Sequence, residues 1–336
     1  MINKESGLLK NGFIDEKINS SLDLIAEIKK LKEAKNAILL AHFYQRNEVQ
    51  DIADFIGDSL QLSQEAAKTK ADIIVFAGVN FMAETAKILS PDKKVLLPDL
   101  NAGCSLAESC NPNDFKKFIE ENPNHTVISY VNTSAEIKAL TDICCTSSNA
   151  LQIVNALPKN EKIIFAPDRN LGNYIKSVTG RENMLIWDGA CHVHEAFSVE
   201  KLIELKKNYP SAKVLAHPEC KKTILLLADF IGSTAALLNF VKKDNTENFI
   251  VVTEPGIIHQ MQKDCPEKTF IPLPAIAVES NLADDCDACN DCSFMKLITL
   301  EKIYLTLKYE QPAIFVEETI RKKAEKSIFR MLEMSK

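Results

Sequence analysis

The sequence predicts an α/β fold of three similar three-layer αβα lobes, each with helices on both faces of a parallel sheet. Three observations predict it: short apolar runs alternate with helical stretches, the runs are apolar throughout, and the whole pattern recurs at nearly equal intervals. Alternating strands and helices indicate parallel sheets, and continuously apolar strands indicate sheets that are covered on both faces. We expect pseudo-threefold symmetry between the lobes, with a functional site on the central axis.

The first apolar run of each copy ends in a polar or aromatic residue that marks the repeat. His42, Tyr130 and His217 lie 88 and 87 residues apart (42 to 130, then 130 to 217). Related stretches follow them, namely DFIGDSLQLS, DICCTSSNALQ and DFIGSTAALL. Recurrence at a fixed period indicates internal duplication. The predicted domains are therefore 1–125 (N-terminal helix and first lobe), 126–212 (second lobe) and 213–336 (third lobe and C-terminal helices).

Two further apolar runs follow in each copy and predict two further strands. The second runs are ADIIVFAG, EKIIFAP and ENFIVVTEP, and the third are KKVLLPDL, ENMLIWDG and KTFIPLP. Flanking helices are predicted near 15–35 and 297–334. The second of these should break near Gln311 and Pro312, because proline cannot continue a helix.

Composition and charge exclude several classes of function. The formal net charge of the 336 residues is -6, which excludes a generally basic nucleic-acid surface. No apolar run approaches the roughly 20 residues that span a bilayer, and the first residues lack the apolar core of a signal peptide. We therefore expect a cytoplasmic protein that binds neither nucleic acid nor membrane. Ten cysteines in a reducing compartment favour metal binding or catalysis over disulfides, although Cys144 and Cys145 are expected to be small core residues.

One cysteine from each copy is predicted to reach a shared metal site. Cys104 and Cys191 follow the third apolar run of their copies and lie 87 residues apart. In the third copy the register slips, and the candidates are Cys286, Cys289 and Cys292. Parallel α/β lobes bind ligands beyond the carboxyl ends of their strands, where these cysteines are predicted to lie. Thiolates are the usual ligands of iron–sulfur clusters and of zinc.

Three ligands suit a catalytic metal, because they leave one coordination position open for a substrate oxygen. A Lewis acid of this kind is suited to dehydration chemistry. The spacing C-x-x-C-x-x-C also resembles part of a bacterial ferredoxin motif, but the fourth cysteine and the proline are missing. Zinc binding within this short run, or a redox pair, remains an alternative interpretation.

Other polar residues are predicted to surround the same site. His42, Tyr130, His217, Thr253 and Glu254 come directly after strands. The turn serines are Ser59, Ser147 and Ser233, which follow the repeat markers by 17, 17 and 16 residues. Hydroxyls and backbone N–H groups at helix N-termini favour the binding of anions.

The sequence resembles the quinolinate synthase family. The resemblance runs from about Ala41 to about Glu301 and rests on these strings in their order: AHFYQ, GDSLQLS, FAGVNFMAETAKIL, LLPDLNAGCSL, SYVNTSAEIKA, CCTSSNA, FAPDRNLGNYI, WDGACHVHE, HPEC, TEPGI, and C-x-x-C-x-x-C followed by FMKLITLEK. It implies a transferase of de novo NAD biosynthesis. Such an enzyme condenses iminoaspartate with dihydroxyacetone phosphate and releases phosphate and water to form quinolinate.

The resemblance also implies a cofactor and roles for residues. The cofactor is a 4Fe-4S cluster with one open iron, and its implied ligands are Cys104, Cys191 and Cys292. The implied catalytic residues are Glu219 as general acid/base, with Tyr44, Tyr130 and His217. The implied substrate-binding residues are His42, Ser59, Tyr130, Asn132, Ser147, His194, His217, Glu219, Ser233, Thr234 and Thr253.

Further expectations concern partners and the remaining cysteines. An enclosed Glu219 is expected to have a pKa shifted toward neutrality. The resemblance implies a functional link to L-aspartate oxidase and a monomer or homodimer. Cys110 and Cys220 are expected to be structural, whereas Cys286 and Cys289 either shape their loop or form a redox pair. Two rival functions are an aconitase-like hydro-lyase and a zinc-stabilised binding protein without catalysis.

Overall fold

The structure, a computed structural model, describes residues 9–274 and 290–336 and confirms an α/β fold. The described part contains three four-stranded sheets in which every pairing of neighbouring strands is parallel. Counted in chain order within a sheet, the strands lie in the same order in all three: second, first, third, fourth. Each predicted copy therefore contains one sheet, and the three sheets share one strand order.

A short N-terminal region precedes the first sheet. It consists of β1 (Leu9–Lys10), β2 (Phe13–Ile14) and α1 (Leu24–Ala34). The predicted helix at 15–35 is thus shorter than expected, since it begins only after Asp23, whose side chain accepts the Ala26 N–H as an N-cap.

The elements of the three lobes are as follows. The first lobe has β3 (Ala37–His42), α2 (Asn47–Ile52), β4 (Phe55–Gly57), α3 (Ser59–Lys68), β5 (Ile73–Ala77), α4 (Asn80–Leu89) and β6 (Lys94–Leu96), followed by α5 (Ser105–Glu108) and α6 (Pro112–Glu121). The second has β7 (Thr126–Tyr130), α7 (Ala135–Ala139), β8 (Ile143–Cys145), α8 (Ala150–Ala156), β9 (Ile163–Ala166), α9 (Arg169–Thr179) and β10 (Met184–Ile186), followed by α10 (His192–Glu195) and α11 (Val199–Asn208). The third has β11 (Lys213–Ala216), α12 (Lys222–Leu225), β12 (Phe230–Ile231), α13 (Thr234–Lys243), β13 (Asn248–Val252), α14 (Ile257–Asp264) and β14 (Thr269–Pro272).

Three helices close the chain: α15 (Ser293–Lys296), α16 (Leu300–Tyr309) and α17 (Glu318–Glu333). The predicted break near Gln311 and Pro312 is confirmed, because both lie between α16 and α17. Helix α17 packs mainly against α7 and β8, and α16 packs mainly against α1. Within the residues described, no helix combines the length and the apolar character that a membrane crossing requires.

An aspartate at the same place in each lobe explains why the motif at the second strand recurs. The carboxylates of Asp54, Asp142 and Asp229 accept the backbone N–H of a residue in the first strand of their own lobe, at 2.7, 2.8 and 2.7 Å. In each case the aspartate's own N–H donates to the carbonyl of that same residue. Such paired bonds fix the entry to the second strand in one register.

The second strand of each lobe was missed by the sequence interpretation, which assigned three apolar runs to three strands. β4, β8 and β12 are only two or three residues long. So short a run shows no periodicity that could distinguish a strand from the end of a helix. It forms here because the neighbouring first strand supplies its hydrogen-bond partners.

The lobes pack directly on one another. One apolar cluster includes buried side chains of the first two sheets together with Met295, Ile303 and Ile328 of the last helices. A second cluster joins Phe43, at the end of the first strand of lobe one, to Leu215 and other residues of lobe three. This packing brings the carboxyl ends of the first strands of all three sheets toward one cavity.

Candidate active site

The strand-end residues of the three lobes line a shared cavity of about 70 Å³. Most of the residues that the sequence predicted for the site lie in its wall: His42, Tyr44, Ser59, Cys104, Tyr130, Asn132, Ser147, Cys191, His194, His217, Glu219, Thr234 and Cys292. Thr253 is buried behind this wall and contacts Tyr44 and His194, which line it, whereas Ser233 is buried and hydrogen-bonds to Ser148. The structure thus brings together residues that are more than 200 positions apart in the chain.

Each candidate cysteine ligand stands immediately before a four-residue helix. Cys104 is the N-cap of α5, Cys191 of α10 and Cys292 of α15. Cys292 therefore has the same local setting as the other two, although it does not follow Cys191 by the interval that separates Cys191 from Cys104. Cys286 and Cys289, the other two candidates of the third copy, lie outside the described residues.

The three candidate ligands differ from the other described cysteines in their exposure. Cys104, Cys191 and Cys292 are half-buried, whereas the others are buried (Cys110, Cys144, Cys145, Cys220 and Cys265). Cys144 and Cys145 are in the apolar core, as predicted, and Cys110 and Cys220 also lie within apolar clusters. Burial raises the pKa of Cys104 to about 12 and of Cys292 to about 11, and it raises that of Cys191 as well. A bound metal would reverse this, because it stabilises the thiolate.

The donor set fits a cluster better than a single ion shared by the three cysteines. Three thiolates around one zinc ion at about 2.3 Å would lie about 3.8 Å from one another. The group of ligand atoms that lie within 4.8 Å of one another consists of Cys191, His194 and Glu219, and includes neither Cys104 nor Cys292. Sulfurs that bind different irons of a cluster need not approach so closely. All three nevertheless face the same cavity.

Glu219 is the centre of a buried polar network next to Cys191. Its Oε1 accepts a hydrogen bond from the Tyr130 hydroxyl at 2.6 Å, and its Oε2 lies 3.2 Å from His194 Nδ1. The Glu219 backbone N–H donates to His217 Nδ1 at 3.4 Å, and His217 Nε2 lies 3.2 Å from Ser147 Oγ. The two imidazole rings are stacked with their centroids 4.9 Å apart.

The pKa of Glu219 differs from the sequence-based expectation. Burial favours its neutral form, but His194, His217 and the Tyr130 hydroxyl outweigh burial, and the pKa lies below its usual range. The expectation of a pKa shifted toward neutrality was therefore wrong: Glu219 is a carboxylate that accepts hydrogen bonds. Burial lowers the pKa of His42 and of His217 to about 3, so both imidazoles are neutral near pH 7.

A second chain of hydrogen bonds joins lobes one and three through Tyr44. Its hydroxyl lies 2.6 Å from Thr253 Oγ1 and accepts from Thr234 Oγ1 at 3.1 Å. Thr253 Oγ1 is also 3.0 Å from His194 Nε2. Tyr44 and Glu219 are thus connected through Thr253 and His194. Burial raises the pKa of Tyr44 well above its usual value, so this hydroxyl keeps its proton.

The serine turns of the three lobes meet in one small network. Ser148 Oγ donates to Asp58 Oδ2 at 2.6 Å and to Ser233 Oγ at 2.7 Å. Ser233 is the N-cap of α13, as predicted, whereas the N-cap of α3 is Asp58 and Ser59 is the first helical residue. Sequence interpretation missed Asp58 and Ser148, since each stands next to a serine that the repeat had already marked.

Asn132 presents an unpaired polar atom to the cavity. Its Oδ1 is buried and has no hydrogen-bond partner within the described part of the chain. A buried polar atom without a partner is costly, so a site of this kind is satisfied when a ligand or water binds.

Two further charged residues form an ion pair next to Cys292. The buried Glu254 and the half-buried Lys296 are 2.8 Å apart. Only Glu254 was noted from the sequence, as a strand-end residue.

The fold and the cavity together define an α/β protein of several parallel sheets with an enclosed candidate metal centre. Three cysteines from distant parts of the chain and an adjacent carboxylate–histidine–tyrosine network form this centre. Residues 26–333 match the model of the quinolinate synthetase A protein family, and the chain belongs to that family. It is 60% identical over 313 residues to a quinolinate synthase of Microcystis aeruginosa, covering 93% of this chain and 95% of the relative. It is 57% identical over 317 residues to a quinolinate synthase of Chloroherpeton thalassium, covering 94% and 96%.

Proposed function

We propose that this protein is a quinolinate synthase, a transferase of de novo NAD biosynthesis. It condenses iminoaspartate with dihydroxyacetone phosphate and releases phosphate and water as the pyridine ring of quinolinate forms. The observation that supports this most strongly is a single cavity in which three half-buried cysteines face Glu219, Tyr130 and three histidines. Family membership supports the same reaction.

The cofactor in this proposal is a 4Fe-4S cluster held by Cys104, Cys191 and Cys292. When bound, it supplies an iron with an open coordination position, which acts as a Lewis acid on a substrate oxygen. Each of these cysteines is the N-cap of a short helix and makes no side-chain cap hydrogen bond. The backbone N–H groups of these helices lower the pKa of the thiols and partly offset the effect of burial, which favours the thiolate form that a cluster needs.

Proton transfer in this proposal takes place around Glu219. As a buried carboxylate, it begins as the general base and removes a proton from a carbon or nitrogen of the bound substrate. Tyr130 Oη donates to Glu219 Oε1, so it can return a proton on the same side of the cavity. His217 donates through Nε2 toward Ser147, because its Nδ1 accepts the Glu219 N–H. Tyr44 would donate to an oxygen of the triose phosphate.

In this proposal, the turns of the three lobes bind the phosphate and carboxylate groups of the substrates. Ser59, Thr234 and Ser147 present hydroxyls at or near the first turns of α3, α13 and α8, where backbone N–H groups favour a phosphate or carboxylate. Ser233 and Thr253 act indirectly in this proposal, since Ser233 hydrogen-bonds to Ser148 and Thr253 hydrogen-bonds to Tyr44. His42, His194 and the unpaired Asn132 amide complete the substrate contacts.

The remaining parts of the proposal concern organisation. We place the lobes at 1–125, 126–212 and 213–336 around a pseudo-threefold axis through the cavity. L-aspartate oxidase chemistry supplies iminoaspartate, and the protein acts in the cytoplasm as a monomer or homodimer. The common strand order of the three sheets supports this arrangement.

An anaerobic assay with reconstituted protein tests the proposal. Iminoaspartate and dihydroxyacetone phosphate should together give quinolinate, detected by its ultraviolet absorbance after chromatography. Omission of either substrate is the control. An aconitase-like hydro-lyase would contain a cluster but form no quinolinate, and a zinc-stabilised binding protein would be colourless and inactive. Either result would reject the proposal.

A further inference from the structure

Two buried carboxylates occupy the same position in two of the three lobes. Asp168 and Glu254 each stand two residues after the third strand of their sheet, since β9 ends at Ala166 and β13 ends at Val252. Both side chains are fully buried. The equivalent residue of the first lobe, two after Ala77, is Val79. None of the substrate or acid–base roles proposed above accounts for this pair.

Glu254 contacts the backbone of the third candidate ligand. Its Oε1 accepts the Cys292 N–H at 3.3 Å and lies 2.8 Å from Lys296 Nζ, while its Oε2 accepts the Gly256 N–H at 2.8 Å. The packing around the carboxylate is tight, because a Cβ added to Gly256 would meet Glu254 Oε2 at 2.8 Å and Tyr44 Cα at 2.9 Å. These contacts hold the carboxylate in one position, where it is hydrogen-bonded to the backbone N–H of Cys292.

Lys296 and its neighbours fasten the same segment to the other lobes. Lys296 Nζ donates to the Tyr44 carbonyl at 2.7 Å, and Arg46 Nε donates to the Lys296 carbonyl at 2.8 Å. On the other side of the cysteine, Asn290 Nδ2 donates to the Val193 carbonyl of lobe two at 2.6 Å. The short segment that contains Cys292 is thus bonded to all three lobes.

Asp168 occupies the corresponding position beside the turn that precedes Cys191. Its Oδ1 accepts the Leu171 N–H at 2.7 Å, whereas its buried Oδ2 has no hydrogen-bond partner among the described residues. Backbone bonds also join this turn to the residues before Cys191, because Arg169 N–H donates to the Gly189 carbonyl at 2.8 Å. In lobe one, where Val79 replaces the carboxylate, the turn is joined to the Cys104 loop by a backbone bond alone, from Asn80 N–H to the Ala102 carbonyl at 2.7 Å.

A purely structural explanation accounts poorly for this pattern. Burying a carboxylate is costly even when it is paired, and an apolar pair of similar volume would join two lobes as well. The shared feature is instead a buried carboxyl group beside the segment that leads to a candidate cluster ligand, and at Glu254 this group accepts the backbone N–H of the ligand itself. Groups that contact the ligands of a metal, without binding the metal themselves, commonly orient those ligands. They affect both the metal affinity and the reduction potential of the site.

We propose that Glu254, balanced by Lys296, is a positioning residue for Cys292, and that Asp168, which holds the turn bonded to the segment before Cys191, is the corresponding positioning residue for Cys191. The inference rests on the proposed function, because it concerns how this chain holds the proposed cluster. It further assigns to the Glu254–Lys296 pair the task of setting the positions of Cys292 and Tyr44 together, through the Tyr44 carbonyl.

The test compares variants of the full-length, anaerobically reconstituted protein by two readouts. The first is the rate at which a ferrous chelator removes iron. Glu254→Ala and Asp168→Ala should each release iron about 10- to 100-fold faster than the wild type. Glu254→Gln and Asp168→Asn keep an oxygen acceptor and should restore most of the retention. The second readout is the midpoint potential of the cluster, which Glu254→Gln should raise, because the Lys296 charge is then unbalanced.

Lys302→Met is the matched control. Lys302 pairs with Asp99, and its exposure of 18% and that of Asp99 of 1% match the 17% and 1% of Lys296 and Glu254. Asp99 accepts the Asn101 N–H rather than that of a cysteine. This variant should be destabilised in thermal unfolding but should keep the wild-type release rate and potential.

The possible outcomes are distinct. Wild-type release rates in folded Glu254→Ala and Asp168→Ala overturn the inference, as does equally fast release from Lys302→Met. If an alanine variant fails to fold, an unchanged midpoint potential in Glu254→Gln still overturns it. A wild-type protein that assembles no cluster overturns both this inference and the proposed function, whereas a wild-type cluster with unaffected variants overturns the inference alone.

Discussion

The loops of Cys104 and Cys191 and the segment of Cys292 reach the same cavity in different ways. The first two cysteines follow the last strand of their sheets at matched positions of the repeat, 87 residues apart. Cys292 stands 20 residues after β14 and is fixed by side chains, namely Asn290, Glu254 and Lys296. Each nevertheless precedes a four-residue helix. The repeat thus accounts for the positions of two candidate ligands, and contacts with other parts of the fold account for the position of the third.

Removal of single cysteines tests this comparison with the largest expected effect. Cys104→Ala, Cys191→Ala and Cys292→Ala should each abolish assembly of the cluster, because each removes one of three thiolates. Cys286→Ala is the control and should assemble it. The measurement is the iron and sulfide content and the visible absorbance after anaerobic reconstitution. Intact clusters in the first three variants would exclude the ligand assignment.

Replacement of Glu219 distinguishes residues that bind the cluster from residues that take part in the reaction. Glu219→Gln should retain the cluster but lose quinolinate formation by about 10²- to 10⁴-fold, the range typical of a lost general base. Tyr130 and His194 keep a polar neighbour in this variant, so folding should be little affected. Iron content and the rate of quinolinate formation are measured together. Turnover at the wild-type rate would show that Glu219 is not the base.

The aspartates of the second strands test whether the three lobes are alike despite their different cysteine segments. Asp54→Ala, Asp142→Ala and Asp229→Ala should each lower the free energy of unfolding by about 1–2 kcal/mol, since each removes a hydrogen bond to a backbone N–H of the first strand. The cluster content should stay unchanged. Midpoints of urea unfolding give the comparison, with the matching Asn variants as controls. Loss of stability in one lobe only would contradict their equivalence.

Much of the fold and of the cavity was predictable because the sequence repeats itself. The spacing of His42, Tyr130 and His217 located the first strands, and the polar residues after apolar runs marked their carboxyl ends. The strands β4, β8 and β12 were not predictable, because they are too short for periodicity and depend on the neighbouring strand.

The parts of the site that were missed depend on contacts between lobes. Nothing local in the sequence shows that Lys296 neutralises Glu254, or that Ser148 joins Asp58 to Ser233. The pKa of Glu219 was predicted in the wrong direction for the same reason, since Tyr130 and His194 come from other strands and turns. The equivalence of Asp168 and Glu254, by contrast, was present in the repeat: both follow their lobe's marker residue by 38 or 37 positions.

The most direct test of the account is the metal content of the wild-type protein purified and reconstituted without oxygen. Three cysteines from three lobes that hold one cluster predict about four irons and four sulfides per chain, with one iron that differs from the other three in its Mössbauer spectrum because it has no cysteine ligand. A colourless protein with about one zinc per chain and no iron would contradict the account.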